Sequence, residues 1–166
     1  MRRRIMPLGV LLVTLFLFAC SKESTEPPTR KFISFQLDGI PYTTELSSGT
    51  LFLPTSPDPQ YNFSALHATS LNHTVGTMAV LSLKSEEAEL KTGIYSSAKA
   101  GNSFNLTLPF EGLDMVADDQ TGDMVFEVRA KRDSVIEGSF SGTMIDGLGT
   151  PRTLTKGAFR IVYTSY

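Results

Sequence analysis

The sequence predicts an all-β fold, either an antiparallel β-sandwich or a closed barrel of about eight to ten short strands, with at most one short helix besides the leader. Its five Tyr, eleven Phe, thirteen Gly and nine Pro residues are typical of strands and tight turns. Runs in which apolar and polar residues alternate recur at intervals of about ten residues. No longer period repeats, which argues against a solenoid or a propeller.

The first twenty residues have the pattern of an export signal. Three arginines at positions 2–4 precede a fourteen-residue apolar run, Ile5 to Phe18, which is shorter than the ~20 residues that a membrane-spanning helix needs. The following Leu17-Phe18-Ala19-Cys20 resembles the lipobox of bacterial lipoproteins, although Phe18 is bulkier than is usual there. The resemblance implies cleavage before Cys20, a diacylglycerol thioether on its sulfur and fatty acyl (palmitate-type) modification. The alternative is an ordinary thiol at this single cysteine.

These features predict three regions: a signal peptide at 1–19, a lipidated cysteine and flexible tether at 20–30, and a single β domain at 31–166. Because residues 1–19 carry three of the 15 basic residues and none of the 17 acids, the remainder has 12 basic residues and a net charge of −5. This acidic body argues against nucleic acid as a partner.

The first half of the domain begins with a predicted hairpin. Residues 32–37 alternate, Asp38-Gly39 is a strong turn signal, and the second arm follows, with Pro41 favouring either an edge strand or a strand that begins at Tyr42. Further strands are predicted at 50–54 and at 61–67, the latter with Tyr61, Phe63 and Ala65 on one face. A strand covered on both faces is expected at 75–83.

The second half contains one predicted helical turn, at Ser85–Leu90, ended by Gly93. Residues 104–108 and 124–130 alternate most clearly, and an acidic, turn-rich segment (111–123) lies between them. Strands are also predicted at 136–145, with glycines that suggest bulges or close backbone approach, and at 157–163 after a turn at 146–151.

Four segments together resemble a family of uncharacterised Bacteroidota lipoproteins with a domain of unknown function. These are Phe35-Gln36-Leu37-Asp38-Gly39-Ile40-Pro41-Tyr42, Leu90-Lys91-Thr92-Gly93-Ile94-Tyr95, Ile136-Glu137-Gly138-Ser139-Phe140-Ser141-Gly142-Thr143 and Lys156-Gly157-Ala158-Phe159-Arg160-Ile161. The resemblance spans most of 31–166 and implies an envelope lipoprotein, but it carries over no catalytic residue. The sequence has Tyr42 where the family often has tryptophan.

Few residues have the spacing of a catalytic or metal site. His67 and His73 fit no common zinc pattern, and Ser139 and Ser141 lie between glycines on a predicted strand rather than at a hydrolase elbow. The acids Asp114, Asp118, Asp119 and Asp123 do not match a calcium loop. We therefore predict no catalytic residue, no cofactor, no metal and no enzymatic activity.

One modification site is suggested by a short motif. Asp133-Ser134-Val135 resembles the acceptor that Bacteroidota use for O-linked glycans, and Ser134 falls in a predicted turn. Its glycosylation is an expectation from that resemblance.

Together these patterns predict a lipid-anchored domain of the outer membrane, facing either the periplasm or the cell surface. We expect it to act as a binding, adhesion or accessory subunit, with membrane lipid as a partner through Cys20 and an envelope protein or glycan as ligand. The first alternative is a carrier of small hydrophobic ligands, with a barrel cavity formed by Phe35, Phe63, Phe104, Leu106, Phe126, Phe140 and Phe159. The second is a cell-envelope hydrolase with paired carboxylates.

Overall fold

The computed structural model describes residues 30–54 and 62–166. The strands in these ranges are β1 (Phe32–Leu37), β2 (Ile40–Phe52), β3 (Ser64–Leu71), β4 (Met78–Ser85), β5 (Gly93–Ser96), β6 (Ser103–Leu108), β7 (Leu113–Ala117), β8 (Asp123–Arg132), β9 (Val135–Asp146), β10 (Pro151–Val162) and β11 (Thr164–Ser165). They belong to one compact unit, Lys31–Tyr166. The described ranges contain no helix, so the all-β prediction is confirmed.

The strands form a closed antiparallel barrel. Eight of them pair in a ring in the order β1, β2, β3, β4, β6, β7, β9 and β10, and β10 returns to pair with β1. Apart from the β11–β2 pair, every pairing is antiparallel. Because the ring is closed, each of its strands has a paired neighbour on both sides. Closure thus removes the unpaired strand edge that is a common site of aggregation.

β8 and β5 complete the side of the wall beside β9. β7 is short and pairs with β9 only through Met115 and Val116, and β8 then pairs with the rest of β9. β5 pairs antiparallel with β8, and β6 pairs antiparallel with β7. Asn102 lies between β5 and β6. Its side chain accepts a hydrogen bond from the amide of Lys84 and donates one to the carbonyl of Ser96, so it links β4 to the end of β5.

The barrel interior is a packed apolar core. Inward residues alternate along the strands, and five phenylalanine rings pack together, with Phe140 in the centre and 4.8 to 6.4 Å between its ring centroid and those of its neighbours. These rings are Phe35, Phe104, Phe126, Phe140 and Phe159, each no more than 3% exposed. Such an interior matches what an eight-stranded barrel can hold when side chains fill it.

Bulges decide which residues point inward. The register of β10 shifts between Leu154 and Gly157, where Lys156 has a φ of 51°. Leu154 is buried before the shift, and Phe159 and Ile161 are buried after it. A bulge therefore keeps a twelve-residue strand apolar on its inner face despite the change of phase.

The structure corrects three predictions in the first half of the domain. In β3 the buried residues are Ser64, Leu66, Ala68 and Ser70, so the predicted face containing Phe63 and Ala65 is wrong, and Tyr61 lies outside the described residues. β4 begins at Met78 and is covered mainly on one face rather than both. The segment 50–54 contributes the end of the long strand β2 rather than a separate strand.

The predicted helical turn at Ser85–Leu90 is also wrong. Ser85 is the last residue of β4, residues 86–89 form bends, and the Ser85 hydroxyl accepts the amide of Glu87. Leu90 is fully buried in the core, and Gly93 begins β5 instead of ending a helix. Side-chain capping competes with helix formation in so short a segment, and burial of Leu90 fixes the outcome.

The two ends of the barrel differ in what they carry. Asp38 and Gly39, with φ of 48° and 85°, form the predicted tight turn between β1 and β2. The turns β3–β4, β6–β7 and β9–β10 lie at the same end, which we call the mouth. The opposite end, the base, contains the first residue of β1 and the β8–β9 turn, because Phe32 pairs with Arg160 and Val135 with Val162.

Candidate functional site

A cleft at the mouth is the strongest candidate for a functional site. It has a volume of about 420 Å³ and lies where the start of β2 meets the β3–β4 and β6–β7 turns. Its lining residues are Pro41, Tyr42, Thr43, Asn72, Val75, Thr77, Leu108, Pro109, Phe110 and Glu111. This volume falls in the range of small-ligand pockets.

Tyr42 connects the cleft to the core below it. Its ring stacks on that of Phe35, with the centroids 5.4 Å apart and the planes at 15°. Its hydroxyl donates to the carboxylate of Glu111, at 2.9 Å from Oε1 and 3.1 Å from Oε2. This hydrogen bond reaches across the barrel mouth from β2 to the β6–β7 turn.

Burial and the neighbouring carboxylate change the acidity of this phenol. Burial is the larger cause, followed by the hydrogen bond and the negative charge of Glu111, and together they raise the pKa of Tyr42 from 10.0 to about 12. Both causes favour the neutral hydroxyl over a phenolate. Tyr42 is therefore a hydrogen-bond donor, not a base, at neutral pH.

We expect the surroundings of the Tyr42 hydroxyl, its burial and its hydrogen bond to Glu111, to be visible in a titration. Because the folded-state pKa is higher than the unfolded value of 10.0, their contribution to stability is full below pH 10 and is lost as pH rises to about 12. Burial also raises the pKa values of Tyr95 and Tyr163, so the high-pH part of the ultraviolet absorbance titration should lose the amplitude of one tyrosine in Tyr42→Phe. An unchanged amplitude in Tyr42→Phe would contradict the assignment.

The turns that form the cleft are held by local hydrogen bonds. Asn72 Oδ1 accepts the amides of Thr74 and Val75, and its Nδ2 donates to the carbonyl of Thr43. In the β6–β7 turn, the amide of Glu111 donates to the carbonyl of Leu108. The side-chain amide of Asn72 thus holds the β3–β4 turn in place. Glu111 is the charged residue in the lining.

A separate ion network lies on the mouth. Arg152 Nη1 is 3.0 Å from Asp38 Oδ2, and its Nε is 3.8 Å from Asp146 Oδ2. Asp146 Oδ1 also accepts the amides of Leu148 and Thr150. The hydrogen bond from Thr150 is the main cause that holds the pKa of Asp146 below its usual value. This network fixes the β9–β10 turn.

Outside the mouth, a second open cleft of about 550 Å³ lies between the end of β4 and β5. Three lysines line it, but Lys91 forms an ion pair with Glu87, and Lys84 lies 4.5 Å from the ring centroid of Phe63. Two of the three lysines therefore already have a partner within the protein. This reduces the positive charge that the second cleft can present to a ligand.

The residues that the sequence analysis selected are dispersed. Cys20 lies outside the described residues. Ser134 is exposed in the two-residue turn between β8 and β9, at the base, where its carbonyl accepts the amide of Tyr163. His67 is exposed with Nδ1 3.1 Å from the Ser82 hydroxyl, and His73 is exposed in the β3–β4 turn.

The remaining candidates have structural roles. Ser139 donates to Glu127 on the outside of the barrel wall, and Asp118 Oδ1 accepts the amides of Gln120 and Thr121 in the loop before β8. No three His, Cys, Asp or Glu residues in ranges 30–54 and 62–166 are grouped to hold a metal ion. The sequence analysis did not select Glu111 or Phe110. The available signal was a phenylalanine between Pro109 and Glu111, just beyond a predicted strand; its side chain is 81% exposed in the structure.

The part of the chain that the structure describes has no helix with the length and hydrophobicity needed to cross a bilayer. Comparison of the chain with protein-family models, curated proteins and solved structures gives no match.

Proposed function

We propose that the chain is a lipid-anchored domain of the outer membrane that acts as a binding, adhesion or accessory subunit through the cleft at its mouth. The anchor is supported by the lipobox-like sequence that ends at Cys20 and by its resemblance to Bacteroidota lipoproteins. The binding role rests on one observation: an open cleft of about 420 Å³ lies above a packed core. The chain is expected to have no catalytic activity.

The carrier alternative has less support. It requires space inside the barrel, but the rings of Phe35, Phe104 and Phe140 lie against one another. Phe63 is the exception in the proposed lining, and it packs under Lys84. The contacts within the core favour binding at the mouth over carriage inside the barrel.

The hydrolase alternative also has less support. A general acid needs a carboxyl with a raised pKa. The hydrogen bonds from Arg129 and Ser139 lower the pKa of Glu127, and that of Asp146 is lowered as well. Both carboxylates are therefore held in the ionised form, as hydrogen-bond acceptors from their neighbours, rather than as general acids.

The anchor is tested by replacing Cys20 with serine and fractionating the cells. We expect the wild-type chain in the detergent-extracted membrane fraction with a mass increased by its acyl chains, and Cys20→Ser without them, because two or three chains give lasting attachment. Ser134→Ala is the matched control and should remain in the membrane. An unmodified thiol on a soluble wild-type product would contradict the proposal.

A further inference from the structure

We propose that the mouth cleft binds an organic cation, namely an ammonium or guanidinium group on an apolar stem, with the carboxylate of Glu111 as the countercharge. This inference rests on the proposed binding role of the mouth but not on the lipid anchor. Two sources could supply the group: a free small amine, or a basic side chain of a polypeptide.

The first step of the argument is the charge of the cleft. Glu111 is the charged residue among its ten lining residues. None of the ion pairs formed by the described residues includes Glu111. The nearby acids Asp38 and Asp146 differ because both face Arg152. Among the residues that the structure describes, Glu111 is therefore a carboxylate with a hydrogen-bond donor but no ion-pair partner.

The second step is the surroundings of that carboxylate. Tyr42, Phe110, Val75 and two prolines give the cleft an apolar and aromatic wall. Phe110 is 81% exposed and Val75 39% exposed. An apolar stem would cover these side chains, and aromatic rings also attract cations. A carboxylate beside such a wall suits a ligand that is positive at one end and apolar along its length.

The third step is the place of Tyr42. Its hydroxyl bonds both oxygens of Glu111, so the carboxylate is already oriented before a ligand arrives. An anionic ligand would instead be repelled by Glu111, and the Asn72 side chain is already occupied by backbone groups. Glu111 therefore favours a ligand that carries a positive charge.

The test uses the full chain in non-ionic detergent, followed by NMR titration of ring signals from Tyr42 and Phe110. One arm uses n-butylammonium, a second uses the peptide acetyl-Leu-Lys-Leu-amide, and butyrate is the anionic control. We expect at least one cationic probe to shift these signals saturably and butyrate to leave them unchanged. The probe that saturates these signals at the lower concentration identifies the source.

Three variants separate the charge from the fold. Glu111→Gln keeps the shape of the side chain and should weaken cation binding at least ~10-fold, because a charged pair becomes a neutral one. Tyr42→Phe keeps the aromatic ring but removes the hydroxyl that orients Glu111, so it should weaken cation binding by about threefold, less than Glu111→Gln does. Glu137→Gln, on the outer wall, should bind as wild type does.

Several results would overturn the proposal. They are no saturable shift with either cation, butyrate binding equal to that of butylammonium, unchanged affinity in Glu111→Gln, or a greater loss of affinity in Tyr42→Phe than in Glu111→Gln. Circular dichroism of each variant confirms that the barrel is folded. Because membrane fractionation tests the anchor separately, failure of cation binding and failure of the anchor are distinguishable.

Discussion

Replacing Gly138 with alanine is expected to destabilise the barrel by about 3 kcal/mol, near the upper end of what overpacking a core costs. Gly138 in β9 pairs with Phe159 in β10, and the Phe159 ring lies over it. A Cβ there would overlap the carbonyl oxygen of Glu127 and the Phe159 ring, whose Cε1 would be 2.8 Å away. Neither neighbour can move freely, because one is backbone in β8 and the other is core. Urea unfolding of the purified chain measures the effect.

Gly147→Ala is the matched control for this substitution. Gly147 lies in the β9–β10 turn without a positive φ, and the nearest atom to an added Cβ is the Asp114 carbonyl oxygen at 4.0 Å. We expect a change within ~0.5 kcal/mol, as for an ordinary surface substitution. Equal stabilities of the Gly138 and Gly147 variants would contradict the close packing assigned to β9 and β10.

The glycines of β9 and β10 form a reciprocal arrangement with the central phenylalanines. Phe159 covers Gly138, and Phe140 covers Gly157 on the opposite strand. Each glycine leaves room for a ring, and each ring shields the glycine backbone from water. The sequence analysis predicted bulges or close backbone approach at 136–145 because of the glycines in that segment. Which ring fills the space could be known only from the strand register.

Sequence patterns were most informative where a local rule determines structure. The Asp38-Gly39 turn and the alternation in β6 and β8 each depend on a few adjacent residues, and they were predicted correctly. The phase of β3 was predicted incorrectly because its inner face includes Ser64 and Ser70. The Ser70 hydroxyl donates to that of Thr44, which in turn donates to the carbonyl of Ile33. Tertiary hydrogen bonds thus allow serines at positions where periodicity favours apolar residues.

Features that depend on distant pairing were beyond local patterns. The choice between sandwich and barrel is decided by pairing of β1 with β10, at opposite ends of the domain sequence. β5 and β7 were missed because each has no more than five residues and lies beside turns. The contact between Tyr42 and Glu111 joins residues 69 positions apart. No periodicity within one strand could have indicated it.

Phe140→Ala is expected to lower the free energy of unfolding by about 3–5 kcal/mol, the usual cost of removing a buried aromatic ring. Phe140 is 3% exposed, and its ring contacts those of Phe35, Phe104, Phe126 and Phe159. No other residue touches as many members of the aromatic core among the described ring contacts. Its removal therefore leaves a cavity that its neighbours, held by strands on several sides, can fill only in part. Urea unfolding of Phe140→Ala beside wild type measures the loss.

Two further measurements make this prediction specific to a filled barrel. Phe110→Ala removes the same ring from a residue that is 81% exposed, so its stability should change by less than ~0.5 kcal/mol. An apolar cavity created in a core can take up benzene, and we expect benzene to raise the unfolding midpoint of Phe140→Ala but not that of wild type. Equal stabilisation of both by benzene would instead indicate that the wild-type interior holds space for a small apolar ligand, because a ligand stabilises only a state that has room to bind it.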